Sequence, residues 1–255
     1  MSGAATSVPI YALSWGLMFA VFAASFVGVV IQCCSGFGYA IVLMAVLPLF
    51  VPDLTMAVTA TGIITYLQAL AAVWRYREGV QWKLLPPCLA GYFLTNFLAI
   101  RFAAQNPVDT LRRPMGVFLI LLAAYFVFFA GKIHIKGGPA QGGVAGGISG
   151  VANGLFAIGG PPMVVYFLSA TGTNAAYMAT LQTFFAFTGT YTNTVRLANG
   201  LITRSVLMLT IPALVGLVLG MAVGVKLFDK LDPNRLRKLV YAFMAASGLW
   251  ILITG

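Results

Sequence analysis

Seven long stretches of this 255-residue chain carry no charged side chain: Met1–Pro52, Leu54–Trp74, Leu84–Ile100, Pro114–Gly131, Gly137–Val195, Ser205–Val225 and Leu239–Gly255. A membrane-spanning helix needs about 20 mostly apolar residues, so each stretch holds a crossing and the two longest hold more. Strands of a membrane barrel alternate in polarity, and these stretches do not. Only 8% of the residues are charged and 60% are hydrophobic, whereas a soluble domain carries roughly 25% charged residues. A water-facing surface could not be covered. The chain reads as an all-α polytopic membrane protein, multi-pass, in the inner (plasma) membrane.

Met1–Pro9 has no Lys or Arg and so lacks the basic region of a secretory signal, and Ile10–Gln32 is too long for its apolar core. This segment reads as a retained first helix. Cys33, Cys34 and Cys88 lie in or beside apolar segments with neither disulfide nor metal spacing, and His134 sits in a short basic loop. No cofactor is expected. The net charge of +10 comes from basic residues between the apolar runs, as expected of loops beside anionic lipid. The expected partners are therefore the lipid bilayer and a small anionic substrate, and nucleic acid is excluded. A homo-oligomer is compatible with this reading.

Comparing the chain with itself shows a duplication. Arg75–Gly79 falls on Arg196–Gly200 and Gln32–Gly38 falls on Asn153–Gly159, both at an offset of 121. Farther on, Arg101 matches Lys226, and Leu111-Arg112-Arg113 matches Leu236-Arg237-Lys238. A single transmembrane domain over 1–255 is expected, with repeat 1 over about 10–131 and repeat 2 over about 140–255. Each repeat holds five apolar elements, near 11–33, 38–51, 54–74, 84–101 and 114–131, then 142–156, 160–171, 175–195, 205–226 and 237–254. Elements of 12–15 residues reach only about 18–23 Å as helix, against a hydrocarbon core of about 30 Å. Some are therefore short or broken helices, giving 8–10 membrane segments. With an odd number of crossings per half, the repeats insert with inverted topology. Five crossings each place ten basic residues on one side and five on the other. The positive-inside rule then puts both termini outside.

The chemistry is expected where each repeat interrupts its own helix: Gln32-Cys-Cys-Ser-Gly-Phe-Gly-Tyr39, and the Gly-rich run from Gly146 to Pro162. Backbone outside helix geometry exposes polar groups that lipid cannot satisfy, so a break must be buried in protein or line a wet cavity. Glycine lets backbone approach a ligand, and proline suits a helix's first turn. Gly159-Gly160-Pro161-Pro162 thus starts a new helix within the membrane, as Gly36-Phe37-Gly38 does in repeat 1. A helix N-terminus carries roughly +0.5 charge and free N–H donors. Two such ends, facing each other, would hold an anion without any buried Arg or Lys. The candidate substrate-binding residues are Gln32, Ser35, Gly36, Phe37, Gly38, Asn153, Gly159, Gly160, Pro161 and Pro162. Glycines also permit close helix packing, so Gly142, Gly143, Gly146, Gly147 and Gly150 carry that reading equally.

Gln68, Asn96, Gln182, Thr188 and Asn193 read as helix–helix contacts, and Arg75 and Arg196 as anchors that snorkel to the interface. Cys33 and Cys34 read as small buried packing, with a thiol touching substrate as the alternative. No Asp or Glu falls inside an expected span, so a carboxylate proton relay is absent or uses Asp53. Anion export from an inside-negative cell is favoured by about 2.3 kcal/mol per charge per 100 mV, so export needs no coupling.

The two-repeat organisation, the length, and the Gly-rich break with Ser149-Gly150 and Gly159-Gly160-Pro161-Pro162 resemble the sulfite exporter TauE/SafE family of permeases. The likeness runs along nearly the whole chain, strongest over 143–182 and weaker over 29–61. It departs at Ala157-Ile158, where the family often has more glycine. The resemblance implies transport of sulfite, sulfoacetate or related organosulfonates. The alternatives are a carrier of another small organic anion, a membrane-embedded thiol or lipid-modifying enzyme, and a receptor-like protein.

Overall fold

A computed structural model describes residues 14–35, 37–51, 53–106, 108–128, 137–227 and 233–254. The described residues form ten α-helices and a 3-10 turn (Trp82–Leu84), with no strand among them. The helices are α1 (Trp15–Ser35), α2 (Tyr39–Phe50), α3 (Leu54–Tyr76), α4 (Leu85–Gln105) and α5 (Val108–Phe128), then α6 (Pro139–Phe156), α7 (Gly160–Ala170), α8 (Asn174–Ala198), α9 (Arg204–Leu227) and α10 (Pro233–Thr254). The fold class is the one expected.

Among the described residues, five segments are long and apolar enough to cross a bilayer: Trp15–Cys33, Leu54–Trp74, Trp82–Gln105, Thr110–Phe128 and Arg204–Gly224. All four tryptophans, Trp15, Trp74, Trp82 and Trp250, are exposed near the ends of apolar segments, where interfacial aromatic belts form. Phe19, Leu121, Val218 and Ile253 are also exposed. Lipid covers such outward apolar faces at no cost.

Local chemistry starts and stops the helices. Asp53 Oδ1 accepts the Thr55 N–H at 2.8 Å, which makes it the cap of α3 and gives the one carboxylate considered for a relay a structural role. Thr173 caps α8 through the Ala176 N–H. Gly79 and Gly200, which align at the offset of 121, both take positive φ (99° and 69°). Several helices outrun their expected apolar elements: α4 runs past Arg101 to Gln105, α5 begins before Arg112, and α8 runs past Arg196 to Ala198. Arg112 Nη2 donates to the Pro48 carbonyl at 3.2 Å, tying α5 to α2.

The chain divides into two compact units. One holds α1, α2, the start of α3, α5, α9 and α10. Here α9 lays Gly216, Gly220 and Gly224 along α1. A Cβ at Gly216 would lie 2.5 Å from the Phe22 carbonyl oxygen, and one at Gly220 would lie 2.8 Å from that of Phe26. Gly116 of α5 and Gly248 of α10 face each other in the same way, a Cβ added to either lying 2.8 Å from the other's carbonyl oxygen. Small residues at such crossings let backbones meet, which is how helices associate in lipid.

The other unit holds the rest of α3, most of α4, and α6, α7 and α8. Gly146, Gly150 and Gly154 of α6 press on the α4 backbone at Cys88, Tyr92 and Asn96, so that glycine stripe is a packing seam. Thus α9 packs on α1 in the first unit and α6 packs on α4 in the second. A buried polar knot reinforces the second unit: Thr192 donates to Asn96 Oδ1 (3.0 Å), and Asn96 Nδ2 donates to the Gly150 carbonyl (3.1 Å). The Tyr92 and Thr192 hydroxyls meet at 2.9 Å. Asn96 is thus an interhelical contact, as expected.

Candidate functional site

Both expected helix breaks are present, and each is followed by a short helix folding back along its predecessor. α2 has 12 residues and α7 has 11, about 18 and 16 Å of rise.

At the first break, α1 ends at Ser35 and α2 starts at Tyr39. Gly38 takes φ 113°, which only glycine adopts freely. Gln32 Oε1 accepts the Tyr39 N–H at 3.0 Å, so this amide spans the break and occupies the first donor of α2. The Tyr39 hydroxyl meets Ser25, whose Oγ donates to the Ala213 carbonyl at 2.5 Å, pinning α2 to α1 and α9. Phe37 is buried and stacks on Phe126 with ring centres 5.3 Å apart. Gly36 and the side chain of Ser35 lie outside the described residues.

The second break is built differently. Ala157 ends α6 at φ 56°, a left-handed conformation in a residue that has a Cβ. Its amide donates to the Asn153 carbonyl at 2.9 Å, and the Ile158 amide donates to the Ala152 carbonyl at 3.4 Å. Ser149 Oγ donates to the Gly159 carbonyl at 2.5 Å, lashing the start of α7 to α6. Gly159 has ordinary φ (−89°) but no room. A Cβ there would lie 2.8 Å from both Asn153 Cβ and the Ser149 carbonyl oxygen. Gly160 is roomier, its nearest neighbour for a Cβ being Phe185 at 3.6 Å. Pro161 and Pro162 occupy the first turn of α7 and have no N–H. The first turn therefore carries two amide donors, those of Gly159 and Gly160, fewer than a helix start ordinarily offers.

Arg196 departs from expectation. It does not snorkel: it is 1% exposed, and its Nη2 donates to the Asn153 carbonyl at 3.1 Å. A Cβ on Gly62 would overlap its Nη1, so the guanidinium fills a notch that only glycine leaves open in α3. Gly62 is eight residues past Leu54, about 12 Å of helix rise inside the span Leu54–Trp74. A charged side chain at the bilayer centre costs about 2.5–3.5 kcal/mol on insertion scales, and partial compensation comes from the carbonyl end of α6, where a cation is favoured. Asn193, half-buried beside Gly62, donates to the Gly62 carbonyl at 3.4 Å, and its buried Oδ1 has no hydrogen-bond partner among the described residues. The expectation that Arg196 snorkels to the interface is corrected here. A signal existed in the sequence: Gly189, Thr192, Asn193 and Arg196 share one face of α8 at helical spacing, and a small and polar face on an apolar helix turns inward.

Cys88 and Cys33 fit packing roles, and the side chain of Cys34 lies outside the described residues. Cys88 is buried, its Sγ donating to the Leu84 carbonyl of its own helix turn at 3.1 Å. Cys33 is half-buried against Gly224.

Among protein families, the model described as Sulfite exporter TauE/SafE matches residues 20–251. No curated protein and no solved structure matches the chain.

Proposed function

The chain belongs to the sulfite exporter TauE/SafE family, and from that premise we propose that it exports small sulfur-containing anions (sulfite, sulfoacetate or related organosulfonates) across the plasma membrane. Membership implies a multi-pass membrane transporter of a sulfur oxyanion. The observation that carries the reading to particular residues is the interruption between α6 and α7, held open by the Ser149 hydroxyl and the left-handed Ala157. A break in the membrane is tolerable where its polar groups meet protein or a polar ligand, and the amides of Gly159 and Gly160 are the donors that the start of α7 offers in this reading.

In this reading Asn153, Gly159, Gly160, Pro161 and Pro162 bind the anion at the second break. Gln32, Ser35, Gly36, Phe37 and Gly38 serve the equivalent role at the first. There Gln32 already holds the Tyr39 amide, which leaves the amides of Gly38, Ala40 and Ile41 as the donors of that turn. Export follows the membrane potential without a coupling ion.

The test is flux of radiolabelled sulfite and sulfoacetate in proteoliposomes carrying an imposed potential. Saturable movement toward the positive side is expected. Asn153→Leu and Gly160→Leu are expected to abolish it while the protein still inserts. Movement of neither anion by the wild type would sink the proposal, and full activity in both variants would move the site elsewhere.

A further inference from the structure

We infer that Arg196 is the cation of the substrate site, its guanidinium neutralising the anion bound at the break between α6 and α7. The inference deepens the proposed carrier function and rests on it.

Three observations converge. First, Arg196 is buried at membrane depth beside Gly62 rather than raised to the interface, and an intramembrane cation facing protein marks a substrate pathway by default. Second, it touches the break itself. Asn153, whose carbonyl it holds, packs against Gly159, where an added Cβ would lie 2.8 Å from the Asn153 Cβ, so the cation and the residue that precedes α7 both contact Asn153. Third, α7 has spent its first-turn donors on two prolines, so two amides and a helix dipole of roughly half a charge are poor compensation for a dehydrated oxyanion. A guanidinium supplies a full charge and a planar fork that matches sulfur oxyanions as it matches carboxylate and phosphate. Its dehydration is completed by the fold before substrate arrives, so an arriving anion gains the attraction without that cost falling on binding.

The notch at Gly62 makes the position adjustable by mutation. Gly62→Ala keeps the charge but must displace Nη1. The experiment measures sulfite flux in proteoliposomes as a function of concentration, together with sulfite-induced thermal stabilisation in detergent, for wild type, Arg196→Gln, Arg196→Lys and Gly62→Ala. Loss of a charged hydrogen-bond partner is expected to raise KM for Arg196→Gln on the order of tenfold to a hundredfold and to erase the stabilisation. Arg196→Lys is expected to recover part of both, and Gly62→Ala to fall between. Should Arg196→Gln fail to insert, Arg196→Lys and Gly62→Ala decide alone. Raised KM in both supports the inference, and wild-type KM in both overturns it. A folded, active Arg196→Gln with wild-type KM overturns it too, even with a lowered melting temperature, because Arg196 would then only tie α8 to α6. Wild-type vesicles that move no anion would overturn the carrier reading, and this inference with it.

Discussion

Gly159→Ala and Gly160→Ala are neighbouring, chemically identical changes that should behave oppositely. At Gly159 φ is −89° and ψ −3°, so alanine meets no backbone penalty there, and any cost is steric. Its Cβ would lie 2.8 Å from Asn153 Cβ, 2.8 Å from the Ser149 carbonyl oxygen and 2.9 Å from Ser149 Oγ. All three belong to α6, and the first two are fixed to its backbone and cannot swing away, so α7 must shift off α6 and stretch the 2.5 Å bond from Ser149 to Gly159. Overpacking of this kind costs about 1–3 kcal/mol. At Gly160 the nearest atom is the Phe185 ring at 3.6 Å, an ordinary contact, so the expected cost is about zero on the same scale. Taking about 2 kcal/mol and roughly 2–4 °C per kcal/mol for a chain of this size, Gly159→Ala should melt about 4–8 °C below wild type. Gly160→Ala should melt with wild type. Thermal unfolding of the three purified proteins in one detergent reads this directly. Equal melting temperatures for the two variants would refute the packing drawn for the start of α7.

Three further outcomes are expected. Ala157→Gly removes a left-handed conformation that costs a residue with a Cβ about 1–2 kcal/mol and should raise the melting temperature; a fall would show that the Cβ contributes packing larger than the strain. Asn96→Leu leaves the Gly150 carbonyl and the Thr192 hydroxyl without this partner, and should destabilise by about 1–3 kcal/mol in denaturant titration, whereas a neutral effect would mean the knot is replaced by other bonds. Asp53→Ala removes the cap of α3 and should cost about 1 kcal/mol with transport intact; lost flux in a stable variant would restore Asp53 as a functional carboxylate.

The places where helices stop were legible because they are written in local chemistry. Pro161-Pro162 can begin a helix and cannot continue one, and Gly38 takes a φ that other residues avoid. Element lengths followed from the apolar runs to within a few residues. The misjudged ends lie where a basic residue extends a helix, as at Arg112, since charge marks the end of an apolar run and not the end of hydrogen bonding. The glycines of α6 carried two readings because a stripe of small residues specifies a close approach without naming what approaches. The α4 backbone settles that question.

By itself the sequence determined what depends on neighbours along the chain: membrane residence, the order of elements, the two interruptions and the short helices after them. Tertiary structure alone decided what depends on residues far apart. It packed α9 on α1 and α6 on α4. It gave Gln32 to the Tyr39 amide. And it drew Arg196 into a notch at Gly62, 134 residues earlier in the chain, onto the carbonyl of Asn153. The physical reason is that an arginine near the end of an apolar run has two low-energy destinations, the lipid headgroups or a polar recess in the protein. Only the folded arrangement of α3, α6 and α8 supplies the recess.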